Sequence, residues 1–498
     1  PIRQYFCSLL DFSNNCLSLI CSKMNIIRNF LSFLTKEEMN QIMLTIVQTF
    51  FQLFASSAND ENKIQANGLI IVTFFAVKLF KGLLKHDIQP FSIEFALNTL
   101  IQFHPYCFKS TAINAIQLMA MKFGGEILPF CEIILEKVAV SFDIAFTQYF
   151  ESNGDPNQIE EATAAISSNL SLCSLLIDMS IKNKTTEFLT KPFLLTVIQT
   201  IFENDITDCC DDLVRFLSSI FSTTSMIIQP ISMIWFNYYS AQEWFGFIDQ
   251  LIEPFLALIS HSPECFNSLQ VSDQLEEICL SKFIESDISN TIFNFSTLLS
   301  WICLIDPSFD PSPEQQCISL ICDDCCHSIV SNGESFFEEN SDRILILSAM
   351  FDLMASLTIS RKIVPNEFVL NVMVEYEIKR NWALRIDQKR LYSIFLLNLI
   401  ILMPSNELCS QFLFLAFKLL NFEIIQTSIG NENFYQMDEN AEFPAELESL
   451  TCETLNFKSP QENINITELL TFVFPKFPQE FIHTLKSQFP NVFQIYVK

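Results

Sequence analysis

A cluster of cysteines, aspartates and one histidine fills the segment CISLICDDCCHSIV, Cys317–Val330. Cysteine and histidine are the usual ligands of zinc, and paired cysteines also carry redox chemistry. On a helix, Cys322, Cys325 and Cys326 share the apolar face. His327 points to the polar face instead, and the chain has no second Cys-x-x-Cys pair to complete four zinc ligands. We therefore interpret the segment as one amphipathic helix with cysteines as small buried side chains, and we expect no metal site.

Residue patterns for catalysis are also missing. The five histidines, which lie far apart in no Ser/His/Asp or Cys/His setting, are His86, His104, His261, His327 and His483. Glycine occurs only 8 times in 498 residues, whereas nucleotide-binding loops and nucleophile elbows require it. The motifs GxxxxGK[ST], GxSxG, HExxH and GxGxxG do not occur. We expect no enzymatic activity, no catalytic residue and no cofactor.

The charge balance is strongly acidic, with 57 Asp and Glu against 29 Lys and Arg and a net charge of −28. Direct nucleic-acid binding is disfavoured because phosphate contacts need a dense basic surface. A basic protein partner is favoured, since the overall field would attract it. The same acidity would also keep a chain with 51 phenylalanines soluble, and both explanations stay open. The 17 scattered cysteines indicate a reducing compartment.

Apolar residues recur with helical spacing along most of the chain, and the alternation typical of strands is missing. The predicted helices include Ile127–Phe150, Ile159–Ile181, Glu187–Asn204, Asp211–Ser222, Ile227–Tyr239, Glu243–Ser260, Asn290–Ile305, Asp342–Ser360, Asn366–Ile378, Asp387–Leu402 and Glu407–Asn421. Helix pairs that recur about every 40 residues are typical of HEAT and armadillo repeats. We predict an all-α fold, a right-handed α-solenoid of antiparallel helix pairs.

The predicted array covers residues 1–422, and residues 463–498 are predicted to form capping helices. Because the chain begins abruptly with Pro1 inside an amphipathic stretch, we expect an N-terminal portion of the array to precede it. The longest uncharged runs, Phe216–Gln242 and Ile288–Ile305, contain polar residues and lack basic flanks. We therefore expect no membrane insertion.

An acidic segment at residues 423–462 interrupts the helical pattern and has no Lys or Arg between Asn431 and Phe457. Such a segment is either a disordered insertion or a contact for a basic partner. Its candidate cargo-binding residues are Glu432, Asp438, Glu439, Glu442, Glu446, Glu448 and Glu453. Asp205 and Asp208, in a predicted inter-helix turn, are further candidates. The neighbouring acids of CCDD, Cys209–Asp212, are interpreted as residues that stabilise a helix start.

Three segments carry a resemblance to a known family. They are GEILPFCEIILEKVAVSFDIAFTQ (Gly125–Gln148), WFNYYSAQEWFGFIDQLIEPFLALI (Trp235–Ile259) and NWALRIDQKRLYSIFLLNLI (Asn381–Ile400). In this order they resemble segments of the importin-β (karyopherin-β) superfamily, closest to the importin seven and eight group. The acidic segment lies where that group carries a C-terminal acidic loop, and the chain would be the C-terminal half of a receptor.

The resemblance implies a nuclear transport receptor that shuttles between cytoplasm and nucleus through the nuclear pore. Its implied partners are basic cargo proteins, phenylalanine-containing nucleoporins and the GTPase Ran, the last mainly through the N-terminal half. Import is the favoured direction, and an exportin of the same superfamily stays open. The alternative from another class is a HEAT-repeat scaffold subunit of a phosphatase, vesicle-coat or cytoskeletal complex.

Overall fold

A computed structural model describes part of the chain. The described residues are 17–29, 35, 116–117, 119–120, 124–152, 154–183, 192–223, 228–239, 252–275, 289–306, 327, 330, 341–378, 386–429 and 459–497. Over these residues the secondary structure is helical and contains no strand, which confirms the all-α prediction there. The chain divides into two compact units, Pro1–Tyr238 and Tyr239–Lys498.

In the first unit, six α-helices and two 3₁₀ turns are described. They are α1 (Leu17–Asn29), a 3₁₀ turn (Gly124–Phe130), α2 (Cys131–Glu151), α3 (Pro156–Asn183), α4 (Phe193–Glu203), a 3₁₀ turn (Thr207–Cys209), α5 (Cys210–Phe221) and α6 (Ile228–Tyr239). For α3, α5 and α6 the predicted starts and ends lie within three residues of these bounds. The predicted helix Ile127–Phe150 begins as a 3₁₀ turn, α4 begins six residues after the predicted start at Glu187, and α1 lies outside the predicted helices.

Helices α2 and α3 form an antiparallel hairpin. Near the turn, Gln148 Nε2 donates to Glu161 Oε2 at 3.3 Å, and farther from it Asn169 Nδ2 donates to Ser141 Oγ at 3.0 Å. Asp155 begins α3 because its Oδ1 accepts from the backbone N–H of Asn157 at 3.1 Å. An aspartate in that position satisfies an amide that the helix itself leaves unpaired.

Helix α3 also packs against α5, which adds a third helix to the hairpin. Ser171 Oγ of α3 donates to Asp212 Oδ1 of α5 at 2.8 Å. The apolar side chains of α5 that are fully buried include Leu213, Phe216, Leu217 and Ile220. Because these residues are three and four positions apart, one face of α5 is apolar and buried, whereas the opposite face carries the exposed Asp211 and Arg215.

In the second unit, ten α-helices are described. They are α7 (Ile252–His261), α8 (Pro263–Leu269), α9 (Ser289–Ile305), α10 (Ser341–Arg361), α11 (Glu367–Val372), α12 (Ile386–Leu402), α13 (Cys409–Ile429), α14 (Ile466–Val473), α15 (Gln479–Gln488) and α16 (Pro490–Tyr496). Helix α11 continues as a π-helical turn, Met373–Ile378. Helix α13 runs to Ile429, farther than the predicted helix Glu407–Asn421 and into the segment predicted to be irregular.

Helices α9 and α10 lie side by side and run parallel. Ser300 Oγ lies 2.6 Å from Ser356 Oγ, and farther along both helices Arg361 Nη2 donates to the carbonyl oxygen of Asp306. Because the contacting residues advance in the same direction along the two helices, the helices are parallel.

Helix α12 lies against α10 in the same parallel orientation. Gln388 Nε2 donates to Asp352 Oδ2 at 2.8 Å, and beyond the end of α10 Lys362 Nζ donates to Asn398 Oδ1 at 2.9 Å. The three helices α9, α10 and α12 therefore point the same way. Helix α13 pairs antiparallel with α12, since Ser393 Oγ donates to the carbonyl oxygen of Ala416 and the earlier Arg390 contacts the later Glu423.

The C-terminal helices close over α12 and α13 with aromatic side chains. The ring of Phe417 on α13 has its centroid 6.1 Å from Phe474, 6.3 Å from Phe489 and 5.3 Å from Phe493. Lys476 Nζ donates to the carbonyl oxygen of Ile400 at 3.1 Å, near the end of α12, where backbone acceptors are left free by the helix.

The cysteine segment Cys317–Val330, for which we predict a helix, lies outside the described residues except for His327 and Val330. His327 is helical and exposed, with its ring 4.7 Å from that of Phe368. The cysteines whose side chains the structure describes form no disulfide, and Cys265 is half-buried. The other six are buried: Cys131, Cys173, Cys209, Cys210, Cys303 and Cys409. Cysteine therefore serves as a small buried side chain at these positions.

Candidate binding surface

The predicted candidates Asp205 and Asp208 lie in the turn between α4 and α5, and both side chains are exposed. The buried Ile206 anchors the turn, with its backbone N–H donating to the carbonyl oxygen of Ile201 at 3.1 Å. Asp205 adopts a left-handed backbone with φ of 48°. Aspartate tolerates this conformation better than most residues do, so the turn itself gives a conformational reason for Asp205.

Asp211 and Asp212 occupy the first turn of α5, as the sequence predicted. Negative charge there stabilises the helix because the first amides of a helix carry partial positive charge. Asp212 has a second structural role, since it accepts the hydrogen bond from Ser171 that joins α5 to α3. Both acids are thus explained without a partner molecule.

The turn between α4 and α5 lies beside the end of α2. Burial raises the pKa of Tyr149, and the carboxylates of Asp208 and Asp205, together with the thiol of Cys209, raise it further. A tyrosine responds in this way because negative charge nearby opposes formation of the phenolate. Carboxylates from the turn therefore reach the same end of the first unit as those of the α2–α3 hairpin.

An open groove of about 430 Å³ lies at this end of the hairpin. Its lining residues are Asp143, Ile144, Thr147, Gln148, Glu151 and Gln158. Gln158 Nε2 donates to Asp155 Oδ2 at 3.2 Å, and Gln148 donates to Glu161. These hydrogen bonds fix two groove-lining amides to carboxylates at the start of α3. The lining thus combines one exposed isoleucine with two carboxylates and contains no basic side chain.

The sequence contains a signal for this groove. From Val138 to Ile181 the chain contains no Lys, Arg or His. Within α2, exposed apolar residues also recur on the side opposite to the buried face, at Val140 and Ile144. A helix with apolar residues on both faces has a second surface to cover.

The acidic loop candidates Glu432, Asp438, Glu439, Glu442, Glu446, Glu448 and Glu453 lie outside the described residues. The described chain on both sides of this loop meets at Arg390 of α12. Arg390 Nη1 donates to Glu423 Oε1 at 3.0 Å, and its Nε and Nη2 donate to the carbonyl oxygens of Gln461 and Glu462 at 3.3 and 3.2 Å. One partly buried guanidinium therefore contacts the chain both where it enters the acidic segment and where it leaves it.

Tyr496 completes this arginine cluster, because Arg390 Nη1 also donates to its hydroxyl oxygen at 3.1 Å. Burial raises the pKa of Glu423, although the Arg390 charge and hydrogen bond oppose that shift. For Arg390 burial acts to lower the pKa, but Glu423 and Tyr496 outweigh it and the net shift is upward. The cluster links α12 and α13 to the C-terminal helices.

Over the described residues, no group of three or more His, Cys, Asp or Glu side chains is arranged to hold a metal ion. Helix α3 is long and apolar enough to cross a membrane by length and composition, with a mean hydropathy of 1.4. However, 61% of its most apolar stretch is buried inside the protein, and the core helix of a globular protein meets the same criterion.

No family model matches the chain, and neither a curated protein nor a solved structure matches it.

Proposed function

We propose that the chain is part of a HEAT-type α-solenoid that binds other proteins through its surface and carries out no catalysis. The observation that supports this most directly is the parallel alignment of α9, α10 and α12. Helix α10 is followed by the short α11 and α12 by α13, and α12 pairs antiparallel with α13. Parallel first helices with antiparallel second helices are the arrangement that stacked helix pairs produce.

The separation of the contacting residues supports a repeat. Ser348 and Gln388 are 40 residues apart, Lys362 and Asn398 are 36 apart, and Ser300 and Ser356 are 56 apart. HEAT and armadillo repeats have lengths of about 40 to 47 residues. The step of 56 residues between α9 and α10 is longer than one such repeat.

Within this class, the proposed role is that of a nuclear transport receptor for basic protein cargo, with import as the direction. The acidic surface of the first unit and the net charge of −28 favour basic partners. Ran and phenylalanine-containing nucleoporins enter as partners through the family resemblance, as does shuttling between cytoplasm and nucleus. In a helix stack, phenylalanine side chains would bind in apolar grooves between neighbouring outer helices.

The test is a pull-down from cell extract with the immobilised full-length protein, in the presence and absence of RanGTP. Release of basic partners on addition of RanGTP is the expected result. Partners that stay bound regardless of Ran would exclude transport, and their identity would then indicate the complex for which the chain serves as a scaffold. A phosphatase, a vesicle coat or a cytoskeletal assembly would support that second class.

A further inference from the structure

Exposed apolar side chains are concentrated on helix α2. Among the described residues, large hydrophobic side chains that are at least one-third exposed occur in only a few helices, and the four on α2 are Ile133, Val140, Ile144 and Phe150. Val140 is 50% exposed and Ile144 40% exposed. Single exposed apolar residues need no explanation, but three on one side of a helix, with the exposed Glu136 and Lys137 between the first two, indicate a contact surface.

Three of these residues form a straight stripe. Ile133, Val140 and Ile144 are seven and then four residues apart, and at 100° per residue they fall within about 40° of one another around the helix. The stripe from Ile133 to Ile144 is about 17 Å long at a rise of about 1.5 Å per residue. We name these three residues the α2 stripe. Apolar positions with this spacing form a ridge that packs against another helix.

The C-terminal end of the α2 stripe leads into the groove of about 430 Å³, where Ile144 lies between Asp143 and Glu151. Two further carboxylates, Glu160 and Glu161, lie in the first turns of α3, where Glu161 accepts a hydrogen bond from the groove residue Gln148. A partner that covered Ile144 would therefore bring its own flanking side chains next to several negative charges. Basic side chains in those flanking positions gain energy, whereas acidic ones are repelled.

We propose that the α2 stripe and the groove at its end bind an amphipathic helix of a partner protein, with apolar residues three and four positions apart and Lys or Arg beside them. This inference rests on the proposed function, because it assigns to basic partners one specific surface. An apolar stripe that is as long as several helical turns matches a helix, since the ridge of one helix packs between the ridges of the other.

Charge disfavours the other occupants of such a surface. Anionic membranes and nucleic acids would be repelled by Asp143, Glu151, Glu160 and Glu161. A second copy of this chain would place its own α2 carboxylates against them, in molecules that each carry a net charge of −28. A basic helix satisfies both the apolar and the ionic part of the surface.

The test uses a fluorescein-labelled synthetic helix of Leu and Lys, as long as α2, with Leu in the three-and-four spacing. Its affinity for the full chain is measured by fluorescence anisotropy. Ile144→Gln and Val140→Gln are each expected to weaken binding about tenfold, because each removes one apolar contact. Asp143→Asn is expected to weaken binding about threefold at low salt, with a smaller loss at high salt.

Met233→Gln in α6 is the matched control, because Met233 is 54% exposed and lies outside the stripe. Control peptides with Glu in place of Lys, or with Ser in place of Leu, should bind weakly to every variant. Circular dichroism checks that the glutamine variants keep their helices, which exposed positions should allow.

Equal affinity of the Leu/Lys helix for the native chain, Ile144→Gln and Met233→Gln would overturn this assignment and leave the transport proposal standing. The opposite combination is also possible. If Ile144→Gln weakens peptide binding but RanGTP releases no partner in the extract experiment, the transport proposal would be overturned and the α2 site would stand. A photo-crosslinker at position 144 that reacts with this chain itself, in the presence of excess peptide, would also overturn the assignment.

Discussion

Arg390 of α12 and Glu423 of α13 form an ion pair in which Nη1 and Oε1 are 3.0 Å apart, with side chains that are 14% and 13% exposed. The pair is largely buried, so its contribution to stability depends on how many of its hydrogen-bonding groups are satisfied. Arg390 meets that condition by donating also to Tyr496 and to two backbone carbonyls near residue 461. The guanidinium thus joins α12, α13 and the C-terminal helices at one point.

Substitution Arg390→Ala is expected to destabilise the second unit by about 3 kcal/mol, because it leaves the Glu423 carboxylate buried without its cation. Urea unfolding of the full chain measures this loss. Limited proteolysis should also release the C-terminal helices faster. The exposed Arg215→Ala in α5 serves as the control and should change stability by less than about 0.5 kcal/mol.

The double variant Arg390→Ala with Glu423→Gln separates the two parts of this effect. Removal of both charges should recover part of the lost stability, since a neutral amide costs less to bury than an unpaired carboxylate. If the double variant is less stable than Arg390→Ala alone, the carboxylate is not the source of the loss.

The buried Lys389, next to Arg390 in the sequence, is expected to make the free energy of unfolding depend on pH. Its side chain is 4% exposed, its Nζ lies 5.6 Å from the centroid of the Phe422 ring, and burial lowers its pKa from 10.5 to about 8. Between these values the unfolded chain binds more protons at this site than the folded one. The free energy of unfolding should therefore rise as pH increases from about 8 to 10.5.

Substitution Lys389→Met should remove this rise and stabilise the protein at pH 7 by roughly 2 kcal/mol, because methionine fills a similar volume without a buried charge. Unfolding curves at a series of pH values measure both effects. The exposed Lys486→Met is the control and should leave the slope intact. A slope that persists in Lys389→Met would mean that another group produces it.

The parallel alignment of α9 and α10 predicts a specific crosslink. Ser300 and Ser356 are both buried, with their hydroxyl oxygens 2.6 Å apart, so two cysteines at these positions would lie within disulfide range. Mild oxidation of Ser300→Cys with Ser356→Cys should give one intramolecular disulfide, identified by mass spectrometry of the linked peptides. Either single variant, oxidised in the same way, controls for the chain's own thiols.

That crosslink tests the repeat arrangement directly. A disulfide between these positions requires that α9 and α10 pack against each other through the turns that carry Ser300 and Ser356. Failure to crosslink in the folded protein, with both cysteines still reactive after unfolding, would contradict the stacking on which the proposed solenoid depends.

Helical periodicity predicted most of the described helices, although α1 and α8 were missed, and turn chemistry predicted several of their ends. The start of α5 at Cys210 followed from the two aspartates of its first turn, and the acid-rich break before α3 followed from its polar composition. The end of α13 was missed, because apolar residues continue the helix to Ile429 through a region where acidic composition suggested a loop.

The groove beside Ile144 could not be predicted from local pattern alone. Its lining comes from two helices, and only the hairpin packing brings Gln158 of α3 next to Glu151 of α2. The contacts of Arg390 likewise join residues far apart in the chain, which no periodicity encodes. The cysteine segment Cys317–Val330 has the residue types of a metal or redox site, but helical geometry favoured a structural role for its cysteines.

Asp205 allows the conformational and the ionic roles of an acidic turn to be separated. With φ at 48°, a β-branched residue is strained there, so Asp205→Val should destabilise the protein by about 1 to 2 kcal/mol. Asparagine tolerates the same backbone, so Asp205→Asn should keep native stability and remove only the charge. Thermal unfolding of the two variants measures the first role.

The second role is measured by the binding of basic proteins to the full chain at several salt concentrations. If Asp205 serves as a cargo contact, Asp205→Asn should weaken binding about two- to threefold at low ionic strength and reduce the salt dependence. Asp211→Asn, one turn away at the start of α5, is the matched control for a nearby exposed charge. Unchanged binding in Asp205→Asn, with lower stability in Asp205→Val, would assign this aspartate to the turn alone.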